Sequence, residues 1–138
     1  MIGIRREDKN RWERRVPLAP DHVAELVGER QIQVLVQPSP LRVFPDMDYA
    51  AAGGRISEDL SACSVVLGVK EIPEEKLFAG KAHLCFSHVI KGQTARMPML
   101  RRLIEIGATL LDYEPIVDRR GRRLIFFGRH AGYAGMLD

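Results

Sequence analysis

The chain has 138 residues, of which 46% are hydrophobic and 28% are charged. This length and composition are typical of one globular domain with a buried core, and they exclude a wholly disordered chain. The formal net charge is only +3 and the basic residues are spread along the sequence. The charge therefore does not indicate binding to nucleic acid or to an anionic membrane surface.

The two cysteines, Cys63 and Cys85, each lie inside an apolar run. This position favours buried thiols in a reducing compartment over a disulfide. No apolar stretch approaches the roughly 20 residues that a membrane-spanning helix needs. The sequence passes from Met1 directly into a strand-like segment, without the pattern of a signal or transit peptide. Together these features predict a soluble, cytoplasmic protein.

The first part of the chain alternates predicted strands and helices. Residues 1–6 are predicted to form a strand, which a charged loop follows. A helix is predicted from Pro20, because proline suits the first turn of a helix. The β-branched, apolar residues 32–36 predict a second strand. Residues 44–52 predict a short helix that a glycine pair ends.

The next part contains continuous apolar runs at residues 65–69 and 82–86. Such runs are typical of parallel strands that are covered on both faces. A helical turn is predicted between them, at residues 73–76. A helix with one apolar face is predicted from residue 97 to a stop at Gly107, and another strand follows it.

Near the C-terminus, residues 116–117 and 124–127 flank a turn with Asp118 and Gly121 at its outer positions, which predicts a β-hairpin. Residues 128–138 are predicted to begin a helix. The alternation of strands and helices predicts an α/β fold of three layers, with a mainly parallel sheet and helices on both faces.

Five residues that are able to do chemistry lie in loops that follow predicted strands. They are Arg15, Lys70, Glu71, His88 and Glu114. Because ligands bind beyond the carboxyl ends of the strands in open α/β sheets, we expect these side chains to converge on one cleft. Arginine binds a carboxylate through two hydrogen bonds. Lysine and histidine transfer protons, and neighbouring acidic residues adjust their pKa values. The set suits a keto acid or amino acid whose carbon–nitrogen bond is made or broken.

Each of these residues taken alone is also consistent with a structural role. Arg15 and Lys70 fit a solvated surface, and His88 fits a structural histidine. The arginine pairs of the chain lack interleaved aromatics, which favours solvated faces over a nucleic-acid site. The other histidines have no metal-like spacing with the cysteines, and no G-x-G-x-x-G fingerprint is present. Neither a zinc site nor a dinucleotide site is therefore predicted.

Five segments resemble the N-terminal domain of the alanine dehydrogenase, transhydrogenase and saccharopine dehydrogenase superfamily. They are residues 4–20, 67–71, 86–93, 110–123 and 126–136. The F-S-H motif, followed by D-Y-E and G-x-x-A-G-x-A-G, is more similar to the lysine–2-oxoglutarate reductase (saccharopine dehydrogenase) branch than to alanine dehydrogenase. The resemblance implies that residues 1–138 form a Rossmann-like or flavodoxin-like substrate domain. It also implies that an NAD(P)-binding Rossmann domain lies outside this chain.

The resemblance further implies roles for individual residues. It assigns Lys70 and His88 to a catalytic acid/base pair and places Arg15, Glu71, Lys91 and Glu114 at the substrate. The implied reaction condenses the ε-amine of lysine with 2-oxoglutarate and reduces the imine to saccharopine. NAD or NADP is then bound mainly by the other domain, and the isolated chain is expected to be inactive. Ala19 departs from the family's small hydroxyl residue, so a helix cap worth about 1 kcal/mol is expected to be missing.

Two alternatives remain open from the sequence. The first is an alanine dehydrogenase-like enzyme that uses pyruvate and ammonia. The second is a stand-alone domain that binds an amino acid or a partner and regulates it. The partners expected from the main interpretation are lysine, 2-oxoglutarate and saccharopine. Neither nucleic acid nor a membrane is expected as a partner. The main interpretation is also compatible with a homo-oligomer that forms through an exposed apolar face.

Overall fold

A parallel β-sheet of six strands forms the centre of the computed structural model, which describes residues 1–92, 94 and 97–128. The strands are β1 (Ile2–Ile4), β2 (Val34–Val36), β3 (Arg55–Ile56), β4 (Val65–Leu67), β5 (Ala82–Cys85) and β6 (Thr109–Asp112). The helices are α1 (Pro20–Gly28), α2 (Asp46–Ala51) and α3 (Met97–Glu105), and short 3-10 turns occur at Glu74–Lys76 and Val89–Lys91.

The strand order across the sheet is β3-β2-β1-β4-β5-β6, and every pairing is parallel. Ile4, at the end of β1, pairs with Val36 of β2 on one side and with Leu67 of β4 on the other. The chain thus builds outward from β1 in one direction and then, from β4 onward, in the other. In open α/β sheets this reversal creates a crevice between the two central strands at their carboxyl ends.

Both faces of the sheet are covered, as the continuous apolar runs predicted. Val34 and Val36 pack with Val23 of α1 and Tyr49 of α2 on one face. The next residue along β2, Leu35, lies in a cluster on the opposite face, as the alternation of side chains along a strand requires. On that opposite face α3 contributes Met99 and Leu103, which pack with Cys85 of β5. The predicted three-layer α/β fold is confirmed.

The predicted hairpin near the C-terminus is not confirmed as a pair of strands. The structure forms one isolated antiparallel bridge, between Val117 and Arg123. The carboxylate of Asp118 accepts the backbone N–H groups of Arg120 and Arg122 at 2.8 and 2.9 Å and closes a tight turn. Beyond it, Phe127 packs on Phe86 instead of pairing along a strand. Strand β3 was not predicted, and the predicted C-terminal helix lies, after Gly128, outside the described residues.

Both cysteines are buried free thiols. Burial raises the pKa of Cys63, and it raises the pKa of Cys85 to about 12. A thiol that stays protonated is a poor nucleophile and a poor metal ligand, so both cysteines act as small apolar core residues. Among the residues described, no helix is long and apolar enough to cross a membrane.

The N-terminus of α1 lacks a side-chain cap, as expected from Ala19. His22 compensates in part, because its Nδ1 accepts the backbone N–H of Ala19 at 3.2 Å. Ala19→Ser adds an acceptor for the open N–H groups of the first turn. We expect it to raise the free energy of unfolding in urea by about 1 kcal/mol. Ala24→Ser, in the exposed middle of the same helix, is the control and is expected to lower it slightly.

His83 of β5 is fully buried and neutral. Its Nε2 accepts the backbone N–H of Phe78 at 3.1 Å, and burial lowers the pKa of the ring. The unfolded chain therefore binds this proton at a higher pH than the folded chain does. The contribution of His83 is present above the unfolded pKa of about 6.5 and is lost as the pH falls below it. Urea unfolding between about pH 5 and 8 should show this loss, and His83→Gln should flatten that part of the profile.

Candidate functional site

A cleft of about 910 Å³ opens at the carboxyl ends of β4, β5 and β6. Its walls come from the loops that follow these strands and from the segment after the Asp118 turn. The lining residues are Lys70, Phe86, His88, Lys91, Glu114, Asp118, Arg122, Arg123, Leu124, Phe126, Phe127 and Gly128. The cleft therefore lies at the sheet edge at which the parallel topology predicts a ligand site.

The structure brings most of the predicted site residues together. Lys70, His88 and Glu114 line the cleft, and so does Lys91. Arg15 lies at its border, with its guanidinium carbon 4.3 Å from the centre of the Phe127 ring. The convergence expected from the parallel strands is thus observed for Lys70, His88 and Glu114, with Arg15 at the border.

Glu71 does not line this cleft. It lines a separate cavity of about 220 Å³ with Asp8 and Lys9, and its carboxylate accepts a hydrogen bond from Lys9. The expectation that all five side chains converge on one cleft was wrong for Glu71. The physical reason is local, because the backbone bends at Val69 and Lys70, and the side chain of Glu71 turns to Lys9 of the loop after β1. Lys70 and Glu71, adjacent in sequence, therefore face different cavities.

Lys70 is positioned by a buried carboxylate from the loop after β1. One oxygen of Glu7 accepts the backbone N–H of Val69 at 2.8 Å, and the other accepts that of Lys70 at 3.0 Å. Burial raises the pKa of Glu7, whereas the two hydrogen bonds and the charge of Arg5 lower it. Burial has the larger effect, so the pKa of Glu7 lies above its usual value. Glu7 therefore joins the loops after β1 and β4 at the reversal point of the sheet.

His88 lies in the left-handed region, with φ at 57° and ψ at 13°. A histidine with positive φ is uncommon, and such backbone is found at functional sites where the surroundings hold it in place. The Nδ1 of its ring lies 3.3 Å from the Oε2 of Glu114. The ring also stacks on Phe86, with the centroids 6.5 Å apart.

Glu114 is the anionic centre of the cleft. Its carboxylate lies 2.9 Å from the Nζ of Lys91, 3.3 Å from His88 and 3.7 Å from Arg123. The hydrogen bond from Lys91 lowers the pKa of Glu114, and the hydrogen bond with His88 lowers it further. An ionised carboxylate only accepts hydrogen bonds, so the Nδ1 of His88 carries a proton. The Nε2 of His88 is then the ring nitrogen available to a substrate.

Arg15 is held by Glu13 two residues earlier. Its Nε donates to Oε1 of Glu13 at 2.7 Å, and its Nη2 donates to Oε2. Burial raises the pKa of Glu13, but the hydrogen bonds and the charge of Arg15 outweigh burial and leave that pKa below its usual value. One edge of the guanidinium thus donates hydrogen bonds to Glu13, and one face packs on the ring of Phe127. These two contacts fix the direction of the remaining N–H groups.

The apolar wall of the cleft contains Phe86 and Phe127, and the ring of Tyr113 packs behind Phe86, outside the cleft lining. Phe86 packs on Tyr113 at 5.0 Å and on Phe127 at 5.3 Å between centroids. Burial raises the pKa of Tyr113, so its hydroxyl stays protonated. The wall is suited to the methylene chain of a substrate whose ends are charged.

Sequence reasoning missed the residues of segment 118–128 that line the cleft. Arg122 and Arg123 were interpreted there as a solvated pair, yet both line the cleft. Arg123 reaches Glu114, and Arg122 donates to the carboxylate of Asp118 at 2.8 Å. The signal that was available is the pair of arginines directly after the Asp118 turn. With Lys91, these arginines give the cleft three cationic side chains besides Lys70, against two carboxylates, which favours an anionic ligand.

The described residues do not fit a dinucleotide. A dinucleotide site needs a glycine-rich turn after the first strand, where backbone N–H groups bind the pyrophosphate. The loop after β1 contains no glycine in residues 5–19, and the carboxylate of Glu7 lies there on two backbone N–H groups. Within the described ranges, no group of three histidine, cysteine or acidic residues is arranged to hold a metal ion.

The chain is similar in sequence and in fold to several known proteins. The chain is 45% identical over 138 residues to the protein named "Alpha-aminoadipic semialdehyde synthase, mitochondrial" of Rattus norvegicus, covering all of this chain and 15% of that one. It is 34% identical over 139 residues to "Saccharopine dehydrogenase [NAD(+), L-lysine-forming]" of Yarrowia lipolytica, covering 97% and 37%. A solved L-alanine dehydrogenase shares the fold with a TM-score of 0.72 and 24% identity, covering 86% and 34%.

The chain spans well under half the length of these relatives. The family described as "Alanine dehydrogenase/PNT, N-terminal domain" matches residues 3–134, which include every described residue of the cleft. The resemblance inferred from the sequence motifs is confirmed: the chain belongs to the alanine dehydrogenase/PNT N-terminal domain family.

Proposed function

We propose that this chain is the substrate domain of an NAD(P)-dependent amino acid dehydrogenase of the lysine–2-oxoglutarate reductase (saccharopine dehydrogenase) type. The observation that carries the proposal is the single cleft in which Lys70, His88 and Glu114 meet a cluster of cations. The name of the Yarrowia relative, which contains saccharopine and L-lysine, supports this choice of substrate.

The cations provide the binding energy for a substrate with several carboxylates. 2-Oxoglutarate carries two carboxylates and lysine one, and saccharopine retains all three. Lys91, Arg122 and Arg123 lie inside the cleft, and Arg15 lies at its border. Arginine pairs with a carboxylate through two parallel hydrogen bonds. Such a pair increases the affinity for the substrate and also fixes the orientation of its carbonyl carbon.

The acid/base chemistry falls to Lys70 and His88. Lys70 removes a proton from the ε-ammonium of lysine, and the free amine attacks C2 of 2-oxoglutarate. A carbon–nitrogen bond forms as the carbonyl π bond breaks, and the oxygen takes the Nε2 proton of a doubly protonated His88 ring, which becomes the Nδ1–H form. The carbinolamine nitrogen then gives a proton to Nε2, and His88 passes it to the hydroxyl. The carbon–oxygen bond breaks, water leaves, and the nitrogen lone pair forms the protonated imine. Glu114 accepts from Nδ1 throughout and stabilises the charged ring.

The nicotinamide cofactor binds mainly to a second domain of the protein, since the described residues of this chain do not fit a dinucleotide. The Yarrowia relative is named for NAD(+), whereas the choice between NAD and NADP in this protein rests with residues outside the cleft. Reduction of the imine is therefore assigned to the complete protein, and this chain alone is expected to be inactive.

The partners in this proposal are small molecules, and neither nucleic acid nor a membrane takes part. A reducing compartment, such as the cytoplasm, fits the two free thiols. The rat relative carries the word mitochondrial in its name, and the location of this protein is best determined by fractionation.

The test is oxidation of NADH and NADPH by the protein that includes this chain and the residues that follow it in its gene. Lysine with 2-oxoglutarate is compared with pyruvate and ammonia. We expect turnover with the first pair and none with the second. Turnover with pyruvate and ammonia alone would contradict the proposal in favour of an alanine dehydrogenase-like activity. Turnover with neither, from a folded protein, would favour a regulatory domain.

A further inference from the structure

A second carboxylate lies behind the His88–Glu114 pair, outside the cleft. Asp112, at the end of β6, accepts the backbone N–H of Ser87 at 3.3 Å and the hydroxyl of Ser87 through the same oxygen, Oδ2. Its other oxygen, Oδ1, accepts the backbone N–H of Glu114 at 2.8 Å. Neither Asp112 nor Ser87 lines the cleft.

Ser87 extends this contact to the far side of His88. Its side-chain oxygen accepts the backbone N–H of Val89 at 3.3 Å, and the residue is fully buried. Both neighbours of His88 are thus anchored, one by Asp112 and the other by Ser87. Between them His88 has the left-handed backbone, which persists only where the surroundings impose it.

The contacts form a closed ring. From Asp112 one path runs through Ser87 to His88, and the other runs through the backbone of Glu114 to its carboxylate. The two paths meet at the 3.3 Å contact between Nδ1 of His88 and Oε2 of Glu114. A displacement of Ser87 would move the imidazole of His88 away from Glu114, and the Nδ1 proton would then lose its acceptor.

We propose that Asp112 and Ser87 are positioning residues, which hold His88 and Glu114 in the geometry that keeps the proton on Nδ1 and presents Nε2 to the substrate. The catalytic part of this statement rests on the proposed function. The geometric part concerns the tautomer of His88 and does not depend on the reaction.

The chain offers matched controls. Asp59 accepts the backbone N–H and the hydroxyl of Ser61 at 2.8 and 2.9 Å, which is the same donor set in an exposed turn away from the cleft. Ser39 is a buried serine whose hydroxyl oxygen accepts the backbone N–H groups of two following residues. Asp59→Asn and Ser39→Ala remove equivalent contacts without touching the His88 loop.

The first readout is kinetic, in the complete protein. Ser87→Ala and Asp112→Asn are each expected to lower kcat by about 10- to 100-fold, because small displacements of a catalytic group cost this much. KM for both substrates is expected to stay within about threefold, because the residues do not line the cleft. Asp59→Asn and Ser39→Ala are expected to keep the kcat of the unsubstituted protein.

The second readout is the tautomer of His88, measured by long-range ¹H–¹⁵N correlation on the same labelled protein. The unsubstituted protein is expected to show the Nδ1–H form, and Ser87→Ala and Asp112→Asn to shift His88 toward the Nε2–H form. The buried His83 serves as the internal reference for folding. Retention of the Nδ1–H form in both folded variants would overturn the proposal, as would a kcat loss that the control variants share.

The two readouts separate the proposals from each other. If the unsubstituted protein turns over none of the substrate pairs, the proposed function fails, and the tautomer of His88 still decides the geometric role of Asp112 and Ser87. If turnover is present and the tautomer does not move, the proposed function stands and the positioning role fails.

Discussion

Lys70→Met is expected to lower kcat for lysine and 2-oxoglutarate by about 100-fold or more, because it removes a general base. Lys70 lines the cleft beside His88 and Glu114, and methionine keeps a side chain of similar length without the amine. The measurement is NADH or NADPH oxidation at saturating substrate. If the base is needed only for the attack of the amine, reduction of a preformed imine should be much less affected.

The control for this variant is Lys81→Met. Lys81 directly precedes β5, at the amino end of the sheet and opposite the cleft. It is expected to leave kcat within about twofold of the unsubstituted protein. His88→Asn should show a loss of the same order as Lys70→Met. Equal turnover by the Lys70→Met and Lys81→Met proteins would refute the assignment of Lys70.

Glu7→Ala is expected to lower the free energy of unfolding by about 2–3 kcal/mol, because it leaves buried donors without an acceptor. The carboxylate of Glu7 accepts the backbone N–H groups of Val69 and Lys70 and lies 3.6 Å from the guanidinium of Arg5. Water reaches this position poorly, since Glu7 is only 7% exposed. Urea unfolding of the variant measures the loss.

The matched control is Glu58→Ala. Glu58 forms a 2.8 Å ion pair with Arg6, and the side chain of Glu58 is 64% exposed while that of Arg6 is 39% exposed. An exposed pair contributes at most about 1 kcal/mol, and we expect a loss below that value. Similar losses in the two variants would mean that the buried Glu7 contacts add nothing beyond a surface ion pair. A loss confined to Glu7→Ala supports its role in joining the loops after β1 and β4.

Much of the fold was predictable from local patterns. The apolar runs at residues 65–69 and 82–86 indicated strands covered on both faces, and β4 and β5 lie within them. Strand β3 was missed because two exposed residues carry no apolar periodicity, and only their pairing with β2 defines them. The turn predicted at Asp118 is present, but the strands predicted on both sides of it do not form. Phe127 packs on Phe86 and Arg15 instead of pairing with a partner strand.

The candidate site divides in the same way. Lys70, His88 and Glu114 were predictable because each follows a strand, and parallel strands bring their carboxyl ends to one edge. Arg122 and Arg123 were not, because they follow a turn whose direction depends on packing. Glu71 was placed on the wrong side because sequence adjacency to Lys70 carries no information about which side of the backbone a side chain takes in an irregular loop.

The sequence by itself determined the class of the fold, the family and the residue types at the sheet edge, since these depend on periodicity and motifs that are local along the chain. Only the tertiary structure decided that Glu7 supports Lys70 and that Asp112 binds Ser87, the residue before His88. It alone also showed that Glu71 faces another cavity. The contacts of Glu7 and of Asp112 join residues more than 20 positions apart along the chain, and the location of Glu71 depends on the direction of one side chain. The packing of the whole sheet sets both the long-range contacts and that direction.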